Sequence, residues 1–164
     1  MVTIREAIAD DTPEILALIR ELAAYEKLGH EVVATENDLR TSLFTERGAE
    51  VVLALVSGNV AGFALFFHNY STFLGKRGIY LEDLYVRPAF RRNGVGRALL
   101  RHLAGLALAR NCGRLEWWVL DWNHDAIAFY RSIGAEPMSD WTVQRVSGPA
   151  LEQLAGLPVP YSPG

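Results

Sequence analysis

The chain has 164 residues, 50% of them hydrophobic, 10% aromatic and 21% charged, with a formal net charge of −3. That is the length of one domain with a real core, and the composition excludes a disordered, collagen-like or coiled-coil protein. A single cysteine, Cys112, excludes an intrachain disulfide framework and a cysteine-cluster metal site.

Residues 2–8 alternate apolar and polar side chains, which predicts a strand. Asp10-Asp11-Thr12-Pro13-Glu14 is a helix start: Asp11 can cap, Pro13 suits the first turn, and Glu14 suits a capping box. Ile15, Leu18, Ile19 and Leu22 follow at helical spacing, so the helix runs to Lys27, and Gly29 marks its end. Thr35 with Asp38 opens a second helix to Thr45. Residues 50–57 and 60–68 read as strands joined at Ser57-Gly58-Asn59. Ile79 to Arg87 is a further strand, closed by Pro88, and Gly94 to Arg110 is a long helix with Val95, Leu99, Leu103 and Leu106 on one face. Leu115 to Leu120 is a strand, Asn123 caps a helix from His124 to Ile133, and residues 141–146 form a last strand. Residues 149–155 suit one or two helical turns. The expected architecture is α/β: a mixed, mostly antiparallel sheet flanked by helices, with one domain over 1–156 and a Pro-rich, frayed tail over 157–164.

The net charge conceals a pattern. Residues 1–76 balance to −5, 77–114 to +6 and 115–164 to −4. A basic middle between acidic flanks suits an anion site beside an acidic rim. Those flanks, and the lack of basic-aromatic interleaving, argue against nucleic acid. The N-terminus lacks the apolar segment of a secretory leader and no apolar run reaches membrane-spanning length, so a cytoplasmic protein without a membrane partner is expected. His30, His68, His102 and His124 share no ligand spacing, so no metal is expected.

The informative stretch runs from Tyr80-Leu81-Glu82-Asp83-Leu84-Tyr85-Val86-Arg87-Pro88 into Arg91-Arg92-Asn93-Gly94-Val95-Gly96-Arg97. A strand enters a short loop that opens a long amphipathic helix. Gly94 and Gly96 remove side chains where a ligand can approach backbone. The unpaired N–H groups of the helix start, its dipole and Arg91, Arg92 and Arg97 together suit a pyrophosphate. No third glycine follows at dinucleotide spacing, and no Gly-Lys-Ser/Thr completes a P-loop.

Arg91-Arg92-Asn93-Gly94-Val95-Gly96 resembles the Gln/Arg-x-x-Gly-x-Gly/Ala signature of the GCN5-related N-acetyltransferases, and the resemblance spans residues 3–146. Tyr25-Glu26-Lys27-Leu28, Ala34-Thr35-Glu36-Asn37-Asp38-Leu39, Ile79-Tyr80-Leu81-Glu82-Asp83-Leu84 and Trp122-Asn123-His124-Asp125-Ala126-Ile127-Ala128-Phe129-Tyr130 look like the diamine (spermidine/spermine) and thialysine branch. The resemblance implies the acyl-CoA N-acyltransferase fold and acetyl-CoA as co-substrate. It places the pantetheine arm along the backbone of Leu84, Tyr85 and Val86, and the pyrophosphate against Arg91, Arg92, Asn93, Gly94, Val95, Gly96 and Arg97. Asn123, Asp125 and Ala126 match further cofactor contacts. Tyr130 matches the tyrosine that protonates the leaving thiolate. Glu82 matches the carboxylate that takes the proton of the acceptor amine, through water. The acceptor, a small cationic amine, is expected beside Tyr25, Glu26, Glu82, Asp83, Glu116, Trp117 and Trp118, and attacks directly in a ternary complex. The branch is dimeric, so a homodimer is expected, with the last strands and the tryptophans as candidate interface.

Several of these residues also have an ordinary structural reading. Tyr130 beside Phe129 can be a core aromatic, Asn123 a plain helix cap, and Tyr25-Glu26 a helix end. One of the adjacent Glu82 and Asp83 can be structural, because a strand points neighbours to opposite faces. Other acceptors remain open, namely a protein N-terminus or lysine, an amino acid or an antibiotic amine. From a different class, so does a non-catalytic acyl-CoA sensor.

Overall fold

In the computed structural model residues 1–158 are described, and the chain divides into two compact units, Met1–Trp122 and the residues from Asn123 onward. The first holds a sheet in the order β1-β2-β3-β4-β5: Val2–Glu6, Glu50–Val56, Asn59–Ser71, Lys76–Val86 and Leu115–Trp117. The first four strands are antiparallel neighbours, and β5 runs parallel to β4. Ser57 and Gly58 join β2 to β3 with φ of 51° and 79°, the pair of positive values that a type I′ hairpin turn needs.

Helix α1 (Thr12–Tyr25) turns Ile15, Leu18 and Leu22 onto one face of the sheet, against Val51, Leu53, Phe63, Leu65 and Tyr85. Helix α3 (Val95–Ala109) packs on the sheet through Val95, Leu99, Leu100, Leu103 and Ala107. The alternate strand positions Val52, Ala54, Ala64, Phe66, Ile79 and Leu81 are buried on the α3 side. Burying each large aliphatic side chain contributes about 2 kcal/mol. Between α1 and β2, Thr35 and Asp38 close the expected capping box and start α2 (Glu36–Leu39). The chain continues as a π-helical turn, Arg40–Thr45, rather than one regular helix.

Two arginines tie helices to the sheet. Arg87, just past β4, donates to Glu14 at 2.7 Å and Glu21 at 2.9 Å, both on α1, and to the Val60 carbonyl. Arg110, just past α3, grips Glu50 of β2 through two bonds of 2.7 and 2.8 Å.

Beyond Asn123 the chain forms α4 (His124–Ser132) and α5 (Gly148–Leu154). The strand expected at 141–146 is absent. Its apolar residues Trp141, Val143 and Val146 do not hold one alternation, among the described residues no strand pairs with it, and an isolated strand has no ladder to hold it. For the same reason β5 stops at Trp117 rather than Leu120, where its pairing with β4 ends. Conversely, β3 and β4 extend past the expected 68 and start before 79, because each supplies the other's partners from Asn69–Gly78 to Ser71–Lys76. Strand β1 ends at Glu6 rather than residue 8, because Asp11 takes the Ile8 N–H and both Arg5 nitrogens instead of capping α1. Of the expected frayed tail, residues 159–164 lie outside the described residues.

Arg110 holds the Glu50 carboxyl below the usual carboxylate range, its bonds outweighing burial. A lowered folded-state value means stability that is present above the unfolded pKa and lost as pH falls through the folded one. Glu50→Gln should therefore cost about 1 kcal/mol in urea unfolding at neutral pH, with the gap to wild type closing on acidification. A gap that does not change with pH contradicts this.

Candidate active site

The site begins with an irregularity in β4. Leu65 of β3 lies opposite Asp83, but the next residue, Phe66, lies opposite Leu81, so Glu82 is an extra residue with no partner. One added residue in an antiparallel strand reverses its alternation from that point. Cross-strand partners share a face. Leu81 therefore accompanies Phe66 on the α3 side, whereas Asp83 accompanies Leu65, and Tyr85 accompanies Phe63, on the α1 side. Glu82 itself is exposed at the bulge, while Asp83 is partly buried.

Asp83 thus sits on the face where α1 ends at Tyr25, with Glu26 as the capping residue. Burial first, then the carboxylates of Glu82 and Glu26, push the Asp83 carboxyl up to about 7. Burial likewise raises the Glu26 carboxyl. No cation or hydrogen-bond donor among the described residues pairs with Asp83. The C-terminal end of a helix is itself negative, which sharpens the excess. Three carboxylates without a counter-ion beside a helix C-terminus favour a cationic visitor.

Aromatic rings border this face. Tyr80, whose partner across the sheet is Phe67, lies 5.2 Å from that ring and 5.7 Å, edge-on, from Trp118, which is 59% exposed. Burial, Glu82, Glu116 and Asp83 all raise the Tyr80 hydroxyl, which is therefore neutral. Tyr25 faces Trp122 at 6.2 Å, and Lys27 lies 5.1 Å over the Trp122 ring. The sequence reading assigned Trp122 to core or interface, and its position one residue before the Asn123 cap carried no signal of this pairing. Glu116 is opposite Tyr80 in the β4–β5 register but is engaged by Arg114 at 2.9 Å and Asn69 at 3.2 Å. Trp117 is opposite Leu81, which puts it with the α3-side set rather than with Asp83.

Past β4 the chain turns through Arg92 and Gly94, both left-handed at φ of 66° and 75°, into α3. Alternating left- and right-handed residues turn successive N–H groups into a concavity that suits an anion. A Cβ built on Gly96 would meet only the Val86 side chain, at 3.8 Å, so the fold does not demand glycine there and the space is open to a ligand. Leu84 and Val86 share the α3 side of β4 next to this turn. Arg92, Asn93 and Gly94 are exposed, as is Arg97. Arg91 is engaged by the end of β4 and by two rings. Its Nε donates to the Val86 carbonyl at 3.1 Å, and its guanidinium lies 5.0 Å from the Tyr25 ring and 5.9 Å from the Tyr85 ring.

In the second unit, Asn123 caps α4: its Oδ1 accepts from the Ala126 N–H at 3.3 Å. Asp125 lies in the first turn, and Tyr130, partly buried, lies near the other end with its ring 5.7 Å from Phe129. No group of metal-ligating side chains occurs among the described residues, and none of their helices is long and apolar enough to cross a membrane.

A bulged β4 thus runs through a glycine turn into the long helix α3. Residues 13–135 match the Acetyltransferase (GNAT) family, and the chain belongs to it. It is 40% identical to the thialysine N-epsilon-acetyltransferase of Bos taurus over 94% of this chain and 98% of that one. It is 34% identical to the L-ornithine N5-acetyltransferase of Arabidopsis thaliana over 92% and 86% of the two chains. Among solved structures, an integron cassette protein from the mobile metagenome of V. cholerae superposes with a TM-score of 0.79 at 31% identity, covering 94% of this chain and 97% of that one. The resemblance read from the sequence, the α/β fold with its mixed, mostly antiparallel sheet, and the assignment as an N-acetyltransferase enzyme all hold.

The two glycines of the turn should behave differently. Gly94→Ala forces a Cβ into the left-handed region and should cost about 1 kcal/mol, whereas Gly96→Ala should leave thermal unfolding unchanged. Equal losses would contradict the backbone described for the turn.

Proposed function

We propose that the protein transfers the acetyl group of acetyl-CoA to a primary amine of a small dibasic acceptor of the thialysine, ornithine or polyamine kind, by direct attack in a ternary complex. The observation that carries this reading is the set of carboxylates without a counter-ion, Asp83, Glu26 and Glu82, at the end of α1. Relatives named for thialysine and L-ornithine support it.

The residues present suit acetyl-CoA. The N–H groups from Arg92 to Arg97 would hold its pyrophosphate, and the backbone of Leu84, Tyr85 and Val86 would run beside the pantetheine arm as an added strand does. Arg91 would have to leave the Val86 carbonyl for that arm to pair there. Asn123, Asp125 and Ala126 are further cofactor contacts on this reading. When bound, the thioester supplies an activated acetyl group.

An amine that arrives as an ammonium has no lone pair until a proton is removed. The carboxylates flanking the bulge, Glu82 and Asp83, are the groups for that step. Tyr25 and Trp122, with Tyr80 and Trp118, offer ring faces to a cation. Tyr130 gives its hydroxyl proton to the departing thiolate. We extend the reading to a cytoplasmic homodimer, supported by the exposure of Trp141 at 77%, with Met138, Val143 and Val146 exposed nearby.

Free-thiol release from acetyl-CoA, measured with thialysine, L-ornithine, L-lysine, spermidine, an aminoglycoside and a basic peptide, tests the proposal. Fast release with a small dibasic amine is expected, and Tyr130→Phe should lower kcat about 100-fold with little change in acetyl-CoA affinity. Release with the peptide alone would assign a protein acceptor. Tight acetyl-CoA binding without release would assign a sensor.

A further inference from the structure

We propose that Asp83, rather than Glu82, is the group that takes the proton directly from the acceptor ammonium, and that Glu82 at the exposed bulge passes it to water; the inference rests on the acetyl-transfer reading above. Three geometric facts carry it. The extra residue at Glu82 sends Asp83 to the face where α1 ends, beside Tyr25 and Glu26, and leaves Glu82 in solvent. Asp83 lacks any ion-pair or hydrogen-bond partner among the described residues, whereas Glu116, opposite Tyr80, is engaged by Arg114 and Asn69. The cations near this end of α1 lie over rings, Arg91 over Tyr25 and Tyr85 and Lys27 over Trp122.

The charged and titratable groups that face Asp83 are Glu82 and Tyr80 from its own strand and Glu26 from the end of α1. None of them is cationic. A proton acceptor works best when its pKa lies near the working pH, and burial with like charges brings this carboxyl there, to about 7.

The step balances as follows. The ammonium R–NH3+ gives one proton to the Asp83 carboxylate. The freed lone pair forms the C–N bond at the thioester carbonyl, and the C–S bond breaks with its electron pair on sulfur. The nitrogen's second proton goes to that sulfur, the transfer assigned above to Tyr130. The products are an N-substituted acetamide and a free thiol, and the proton on Asp83 returns to water past Glu82.

The test is the pH dependence of kcat/KM with whichever of thialysine, L-ornithine or spermidine is turned over. In wild type, activity should rise through an inflection near pH 7, where Asp83 loses its proton. Asp83→Asn should lower kcat/KM about 100-fold at neutral pH and abolish that inflection, Asp83→Glu should restore part of both, and Glu82→Gln should keep the inflection, moved to lower pH by the loss of a neighbouring negative charge, with a loss under about tenfold. Thermal unfolding provides a readout independent of turnover. A carboxyl whose folded pKa is raised destabilises the fold progressively as pH climbs from about 4 to about 7, so Asp83→Asn should gain Tm over wild type at alkaline pH and lose that gain toward pH 4. An inflection that survives in Asp83→Asn but disappears in Glu82→Gln overturns the assignment while leaving acetyl transfer in place. Wild-type protein that binds acetyl-CoA and acetylates none of these amines, L-lysine, the aminoglycoside or the peptide overturns the acetyl-transfer reading, and this assignment with it.

Discussion

One unpaired residue in β4 organises this molecule. A strand alternates its side chains between two faces, and the two faces here are already committed: one to α1 with Leu18, Phe63 and Leu65, the other to α3 with Leu99, Leu103 and Phe66. Without the bulge, Ile79, Leu81, Asp83 and Tyr85 would share one side. With it, the first pair packs toward α3 and the second toward α1. The same strand therefore closes the hydrophobic layer under α3 and carries an acid and a tyrosine into the layer under α1. It also leaves the ladder open at Glu82, so a backbone N–H and carbonyl there are not committed to β3.

The charge arrangement follows from that inversion. Asp83 arrives in a partly buried place at the negative end of α1, next to Glu26, and its carboxyl is held near neutrality instead of near the usual value for an aspartate. A structural acid in such a place would be expected to have an arginine or a backbone donor. The neighbouring acids show the contrast: Glu14 and Glu21 share Arg87, Glu50 has Arg110, and Asp11 has Arg5 and the Ile8 N–H. These carboxylates that support the fold are paired, and Asp83 is not. That asymmetry points to a cation from outside the chain, which agrees with relatives whose acceptors are named as amines.

Much of this was legible in the sequence, and the failures share a cause. Helix starts and the Ser57-Gly58 turn were readable because caps and turns are local chemistry, as the Thr35–Asp38 box shows. The Gly94 turn was readable because its left-handed backbone demands glycine. Non-local features were not. The segment at 141–146 is rich in strand-favouring residues but has no strand beside it among the described residues, and β3 and β4 outrun their apolar patterns because each is the other's partner. The face of Asp83 could not be derived, because an extra residue in a strand leaves no compositional mark. Strict alternation gave Glu82 and Asp83 opposite faces without saying which of the two would lie on the α1 side. Arg91 was read as one of the charges of an anion site, and nothing in its local sequence marks Tyr25, 66 positions away along the chain, over whose ring its guanidinium lies.

The most direct measurement is a crystal structure of the protein with coenzyme A and a short alkyl diamine. The account predicts the pyrophosphate against the N–H groups between Arg92 and Arg97, Arg91 released from the Val86 carbonyl, and an amine nitrogen within hydrogen-bond distance of Asp83 on the α1 side of the sheet. A pyrophosphate bound away from the Gly94 turn, or a diamine that leaves Asp83 without a contact, would contradict it.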